Sequence, residues 1–150
     1  MDFRRSTAFD APKMAELERV SFPDPWGERD FQDLICSEWG MCFSAMEGER
    51  LIAYVVGRLI APEGEIYRVA VHPEYRQRGI GYRLLDYAVK TSRGHGLETL
   101  FLEVRSKNTA ARRLYLAYGF EEIGERKNYY HNPDDNAIIM LKASRADMVN

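Results

Sequence analysis

Apolar positions along this chain switch repeatedly between helical and strand spacing. Residues 3–6 fit a short first strand. Asp10 fits a helix N-cap with Pro12 tolerated in the first turn, and Met14, Leu17 and Val20 then recur at helical spacing. Residues 22–26, Phe-Pro-Asp-Pro-Trp, read as a loop, and a short helix over 28–37 places Phe31, Leu34 and Ile35 on one face. Strands over 41–46 and 50–60 are joined by a hairpin turn at Glu47-Gly48-Glu49. Pro62-Glu63-Gly64 is a second turn, and a third strand over 65–71 is stopped by His72-Pro73. A helix opens near Gly79 and runs to Arg93, with Ile80, Leu84, Leu85, Ala88 and Val89 as its apolar stripe. The run 99–104 is almost continuously apolar, which predicts a strand buried on both faces. Residues 108–118 form a helix that Asn108 caps and Gly119 ends, and strands over 120–126 and 137–142 close the sheet. The polar tail 143–150 frays. No repeat or linker interrupts the pattern, so 1–150 reads as one domain of α+β class.

Composition narrows the function classes. The 150 residues are 45% apolar and 29% charged, ordinary for a soluble globular chain able to bury a core without staples. A formal net charge of −2 argues against a general nucleic-acid binder. The apolar run 51–57 lies between Arg50 and Arg58 and is too short to span a bilayer. The N-terminal residues have no apolar core, so no secretory signal is visible and a cytoplasmic location is expected. Two cysteines, Cys36 and Cys42, make neither a disulfide scaffold nor a structural zinc site, and Cys36 reads as a small packing residue. Three scattered histidines, His72, His95 and His131, give no metal-ligand spacing, so no metal is expected.

The densest chemistry lies between Val69 and Leu85. A strand leads into Arg76-Gln77-Arg78-Gly79-Ile80-Gly81 and then a helix. Gly79 and Gly81 let backbone approach a ligand, and the helix aims its first N–H groups and positive dipole end at the same place. Such a turn cradles a pyrophosphate, or else it is a Gly-rich turn with solvated arginines. It is not a P-loop, because Gly-Lys-Ser/Thr is missing, and not a Rossmann fingerprint, because the glycine spacing differs.

Val69-Ala70-Val71-His72-Pro73 followed by Arg76-x-x-Gly79-x-Gly81 resembles the acetyl-CoA motif of the GNAT N-acetyltransferases. A second block is similar to the RimI-type ribosomal-protein-alanine N-acetyltransferases of that superfamily. It comprises Leu102-Glu103-Val104-Arg105, Asn108, Leu114-Tyr115, Tyr118-Gly119-Phe120, Asn128-Tyr129-Tyr130 and residues 137–140. The resemblance implies a GNAT fold: a mixed, mostly antiparallel sheet with helices on both faces, and acetyl-CoA wedged where two central parallel strands part. It implies a pantetheine arm along Val69, Ala70 and Val71, and phosphates on Arg76, Gln77, Arg78, Gly79, Ile80 and Gly81. Asn108 and Tyr115, seven positions apart on one helix face, would complete the cofactor contacts. One departure is Gly27, where the type carries a capping Ser.

Acetyl transfer to an amine needs a base for the ammonium proton and an acid for the departing thiolate. Glu103, at the end of an apolar strand, is the candidate base, unless Arg105 or a backbone amide merely satisfies it. Tyr115 is the candidate acid, since a phenol with pKa about 10 is protonated at neutral pH. Its alternative is a core aromatic beside Leu114 and Tyr118.

Charge is unevenly spread. Residues 24–38 hold five acids (Asp24, Glu28, Asp30, Asp33, Glu38) and one base, Arg29, a local −4. Residues 68–83 hold four bases (Arg68, Arg76, Arg78, Arg83) and one acid, Glu74, a local +3. The second region suits cofactor phosphates. The first suits a basic acceptor such as the N-terminus of a ribosomal protein, or is simply a solvated helix face. The leading expectation is acetylation of a protein N-terminal α-amine, with no direct nucleic-acid or membrane partner. Acetylation of a lysine side chain or polyamine, and a non-catalytic CoA-binding module, are the rivals.

Overall fold

The computed structural model describes residues 1–143. Strand β1 (Asp2–Arg5) leads through a 3-10 turn to helix α1 (Ala11–Ser21), then α2 (Glu28–Cys36). Strands β2 (Gly40–Glu47), β3 (Arg50–Ile60) and β4 (Glu63–Val71) follow as a meander. Helix α3 (Ile80–Arg93) crosses over to β5 (Thr99–Arg105), and α4 (Thr109–Tyr118) precedes β6 (Glu121–Tyr130) and β7 (Asp135–Ala143). The seven strands form one sheet in the order β1-β2-β3-β4-β5-β7-β6. Only β4 and β5 pair in parallel; every other neighbouring pair is antiparallel. The polar tail expected over 143–150 lies, apart from Ala143, outside the described residues.

Period-two alternation sends successive side chains of β2 and β3 to opposite faces. On one face Phe43, Ile52, Val55, Leu100, Leu102 and Met140 pack against Leu84, Leu85 and Ala88 of α3 and Tyr115 of α4. On the other, Cys42, Met46, Tyr54, Val56 and Ala70 pack against Met14 and Leu17 of α1 and Phe31 of α2. No residue of β5, β6 or β7 joins this second cluster, because α1 and α2 reach only as far as β4.

That boundary corrects the expectation for β5. Leu100, Leu102 and Val104 are buried under α3 and α4, but Thr99, Phe101, Glu103 and Arg105 are only half-buried on the uncovered face. Other local expectations change too. Val20 is 66% exposed, because it points about 120° away from Met14 at about 100° per residue. Glu18 instead completes the buried stripe of α1. Asp10 precedes α1, but its carboxylate turns back to accept from Thr7 N at 2.8 Å and to pair with Arg4. Burial opposes its charge, yet the Arg4 and Thr7 bonds outweigh that and hold it below the usual carboxylate range. Cys36 is exposed rather than packed; Cys42 is buried, and burial pushes its thiol up to about 12. Without a capping hydroxyl at Gly27, α2 keeps the reciprocal bond, Gly27 N to the Asp30 carboxylate at 2.9 Å.

A bulge shapes the strand that matters most. Val56 pairs with Arg68 but Gly57 pairs with Ile66, so Tyr67 is the extra residue on β4. A Cβ at Gly57 would lie 2.1 Å from the carbonyl oxygen of Glu65, a backbone atom that cannot step aside. Gly57→Ala should therefore force β3 and β4 apart and lower stability by about 1–3 kcal/mol in urea denaturation. An unchanged midpoint would mean that the bulge tolerates a side chain.

Candidate active site

The β4–β5 ladder runs from Glu63↔Thr99 to Ile66↔Leu102 and stops. Beyond it β4 follows β3 while β5 follows β7, so the two strands part. The edge of β4 that faced β5 has no strand partner over Val69, Ala70 and Val71, and of its backbone groups the Val71 carbonyl is taken by Arg76. The expected wedge between central parallel strands is present.

Three cavities follow this split. The first, about 460 Å³, is lined by Val69, Ala70, Val71, Arg76, Gln77, Gly79, Ile80, Gly81 and Asn108, with Phe22, Ala111 and Leu114 among the remaining lining residues. The second is a chamber of about 60 Å³ between the strands, lined by Phe22, Asp24, Tyr67, Arg68, Val69, Glu103, Arg105, Asn108, Tyr115 and Tyr130, among others. The third, an open cleft of about 580 Å³, lies on the uncovered face of β4, β5 and β7 and includes Arg58, Glu63, Glu65, Phe101, Glu103 and Arg126. Val69 and Asn108 line both the first and second cavities, and Glu103 lines both the second and third. The chamber thus shares wall residues with each of the outer two.

The first cavity ends on a turn of uncommon backbone. Gln77 has φ +63° and Gly79 φ +74°. Gly79 is the N-cap of α3, and the helix's first amides have no intrahelical acceptor. Gly81 does not need positive φ, and its Cβ would meet Leu114 Cδ2 at 3.4 Å and Val71 Cγ2 at 3.5 Å, ordinary contact distances. Arg76 Nε donates to Val71 O at 3.0 Å, which fixes the turn to the end of β4. Arg78 lies outside the cavity lining, with its guanidinium 5.1 Å from the Tyr75 ring centre. Asn108 caps α4, its side-chain oxygen accepting from Ala111 N at 3.2 Å. The turn before it is held by Asp135, whose carboxylate accepts from Lys107 N at 3.0 Å; that amide bond outweighs the cost of desolvation and keeps the carboxyl low.

In the chamber, Glu103 and Tyr115 come together from β5 and α4. Glu103 Oε2 is buried with no hydrogen-bond partner among the described residues, and Arg126 Nε stands 3.7 Å away. Arg105 does not satisfy it. That side chain donates to Pro133 O at 2.8 Å and sits 4.4 Å from the Tyr130 ring centre. Tyr115 is 3% exposed and meets Phe120 edge-on at 5.6 Å. It therefore packs as a core aromatic and lines the chamber as well. Burial, with Tyr130 nearby, pushes its phenol well above the ordinary range, so it stays a proton donor. Tyr130 is pushed up to about 12 by burial and then by the nearby Glu103.

Sequence reasoning missed part of this site. Arg68, counted among bases facing phosphates, turns to the opposite side and pairs with the fully buried Glu18 and with Asp24 at 3.7 Å. Asp30 and Asp33 line none of the three cavities; of the acids in 24–38, Asp24 alone does. His131 is on the surface beside Asp134, and His72 accepts from Glu74 N in a turn. The position of Glu18 within the apolar stripe of α1 was the available signal for its burial. Nothing local marks Arg68.

Known proteins are similar to this chain in sequence and fold. The [Ribosomal protein bS18]-alanine N-acetyltransferase of Escherichia coli strain K12 is 32% identical over 133 residues, 87% of this chain and 89% of that protein. The N-alpha-acetyltransferase RimI of Mycobacterium tuberculosis is 35% identical over 144 residues, 92% of this chain and 89% of that one. The crystal structure of the Escherichia coli ribosomal-protein-S18-alanine N-acetyltransferase superposes with a TM-score of 0.86 at 29% identity, covering 95% of this chain and 92% of that one. The model of the Acetyltransferase (GNAT) family matches residues 11–120. With that match, and with relatives above 30% identity along most of its length, the chain belongs to the GNAT acetyltransferases and is an acyltransferase of RimI type.

Proposed function

We infer that this enzyme moves the acetyl group of acetyl-CoA to the N-terminal α-amine of a protein, foremost the alanine N-terminus of a small-subunit ribosomal protein. One observation carries the reading: a chamber lined by Glu103 and Tyr115 shares Val69 and Asn108 with one large cavity and Glu103 with another. A cofactor arm and an acceptor chain then approach the same point from different directions.

The residues fit acetyl-CoA. The free edge of Val69, Ala70 and Val71 offers backbone groups to a pantetheine arm. The turn at Gln77 to Gly79 and the amides opening α3 suit its phosphates. The acceptor enters by the cleft beside Phe101 and Glu103. Glu103 takes a proton from the incoming ammonium, and the neutral amine nitrogen then attacks the thioester carbon. As the tetrahedral intermediate collapses the carbon–sulfur bond breaks, the nitrogen loses its second proton to solvent, and Tyr115 donates a hydrogen bond to the departing thiolate, or its proton, which solvent then replaces. An α-amine, with pKa about 8, asks less of the base than a lysine amine at about 10.4. Glu63 in the cleft supplies an acidic group for a basic acceptor, whereas Glu65 pairs with Arg58, and Asp24 with Arg68 and Arg105.

Mass spectrometry on a panel of N-terminal peptides incubated with acetyl-CoA tests the acceptor. Alanine-starting basic peptides should be acetylated on the α-amine; modification confined to lysine would overturn the reading. Gly79→Val should burden the turn with about 1–3 kcal/mol of backbone strain. Acetyl-CoA affinity should then fall roughly 10- to 100-fold by calorimetry, a fall of 1.4 kcal/mol being tenfold. Gly81→Ala, at ordinary contact distances, should do less. Equal effects would place the phosphates elsewhere.

The two chamber residues should fail differently. Glu103→Gln should slow the reaction by about two to four decades at neutral pH. The loss should narrow as pH rises and more amine arrives neutral. Tyr115→Phe should lower kcat with little change in acetyl-CoA affinity, and higher pH should not rescue it. A thioester with a lower-pKa leaving thiol should restore the Phe variant only. Matching responses of both variants would contradict this division of labour.

A further inference from the structure

Glu103 carries its carboxylate on the uncovered face of β5, where 26% of the side chain is exposed. One oxygen, Oε2, is nonetheless buried and accepts no hydrogen bond from any described residue. A carboxylate oxygen in that state is costly unless a positive charge stands near. Four arginines border the chamber and the cleft, and three of them are engaged elsewhere. Arg58 pairs with Glu65 at 3.4 Å, Arg68 with Glu18 and Asp24, and Arg105 with Asp24 and the carbonyl of Pro133. The fourth, Arg126, has its Nε 3.7 Å from Glu103 Oε2. Among the described residues no other carboxylate comes as close to Arg126, and no other cation as close to Glu103.

The sheet brings Arg126 there from two strands away. Glu103 pairs with Ile139 of β7, and Ile139 with Gly124 of β6, so the three form a row on one face. Arg126 follows Gly124 by two residues on that face, opposite Ala137. Gly124 puts no side chain into the row and Ala137 only a methyl, which leaves room for Arg126 to lean across β7. The pair does little for stability, because 58% of the Arg126 side chain is exposed and water screens it. At 3.7 Å it is also too long for a hydrogen bond. What it sets is where the carboxylate stands.

We propose that Arg126 is a positioning residue for the base: its charge holds Glu103 Oε2 in place and leaves the other oxygen for the incoming amine. The ammonium then meets a carboxylate whose direction is already set, so less is lost in arranging the two. Arg126 makes and breaks no bond and carries no proton of the reaction; it acts through Glu103. This rests on the acetyl-transfer reading above.

A double-mutant cycle with an alanine-starting basic peptide tests this. Arg126→Ala should lower kcat about 10- to 100-fold, the scale of a misplaced reacting group, with acetyl-CoA affinity and Tm near the parent values. In a Glu103→Gln background the same change should cost almost nothing further, because the carboxylate it positions is gone. Arg126→Lys should recover part of the loss, and methylguanidinium added to Arg126→Ala should restore rate saturably, since the site opens to the cleft. Lys127→Ala, an equal loss of charge at the next, exposed residue, should leave kcat near the parent value. Losses that multiply across the two backgrounds, an unchanged kcat in folded Arg126→Ala, a change confined to peptide KM, or no recovery by either Lys or methylguanidinium would overturn the proposal. If Arg126→Ala does not fold, Arg126→Gln decides by the same cycle. A second readout needs no acceptor. The side-chain carboxyl carbon resonance of Glu103, identified by its absence in Glu103→Gln, should move in Arg126→Ala and stay in Lys127→Ala. A parent that acetylates no peptide N-terminus defeats the acetyl-transfer reading separately. The resonance then still decides whether Arg126 sets Glu103: a shift supports it and an unmoved resonance refutes it.

Discussion

Everything in the site depends on a ladder that stops early. Two parallel strands pair for four residues each, from Glu63↔Thr99 to Ile66↔Leu102, and then follow different neighbours. A sheet that stayed zipped would satisfy its own backbone groups and leave no room for a ligand. Because it opens, Val69, Ala70 and Val71 present an unpaired edge, and Glu103 stands at the fork between two cavities. The Gly57 bulge belongs to the same device, since it reorients β4 where the split begins.

Helix coverage supplies the second half of the design. Helices α3 and α4 blanket one face of the whole central sheet, while α1 and α2 stop at β4. Phe101 and Glu103 therefore face a cleft, although their neighbours Leu102 and Val104 are core. The same one-residue alternation that buries a strand on one side exposes a carboxylate on the other. Tyr115 does both kinds of work from α4: its ring packs on Phe120 and its body lines the chamber.

Much of this was legible in the residues. Strand and helix order followed from spacing alone, and the turn at 76–81 announced itself by its glycines. The family resemblance then singled out Glu103, Asn108 and Tyr115, and the structure gathers them around one chamber. What escaped depends on contacts between distant parts of the chain. The apolar run 99–104 read as doubly buried because no local pattern reveals how far two other helices extend. Arg68 read as a phosphate-side base because its facing is set by the β4 bulge opposite Gly57 and by Glu18, fifty residues away. The acidic stretch 24–38 read as one surface, yet Asp24 turns to the chamber while Asp30 is spent on capping α2.

The most direct measurement is a crystal structure with a conjugate in which CoA is joined through an acetyl bridge to the α-amine of an alanine-starting basic peptide. The account predicts the pantetheine arm along Val69, Ala70 and Val71, the bridge between Glu103 and Tyr115, and the peptide leaving by the cleft beside Phe101. A conjugate whose peptide leaves by another route, or whose bridge lies away from Glu103 and Tyr115, would contradict it.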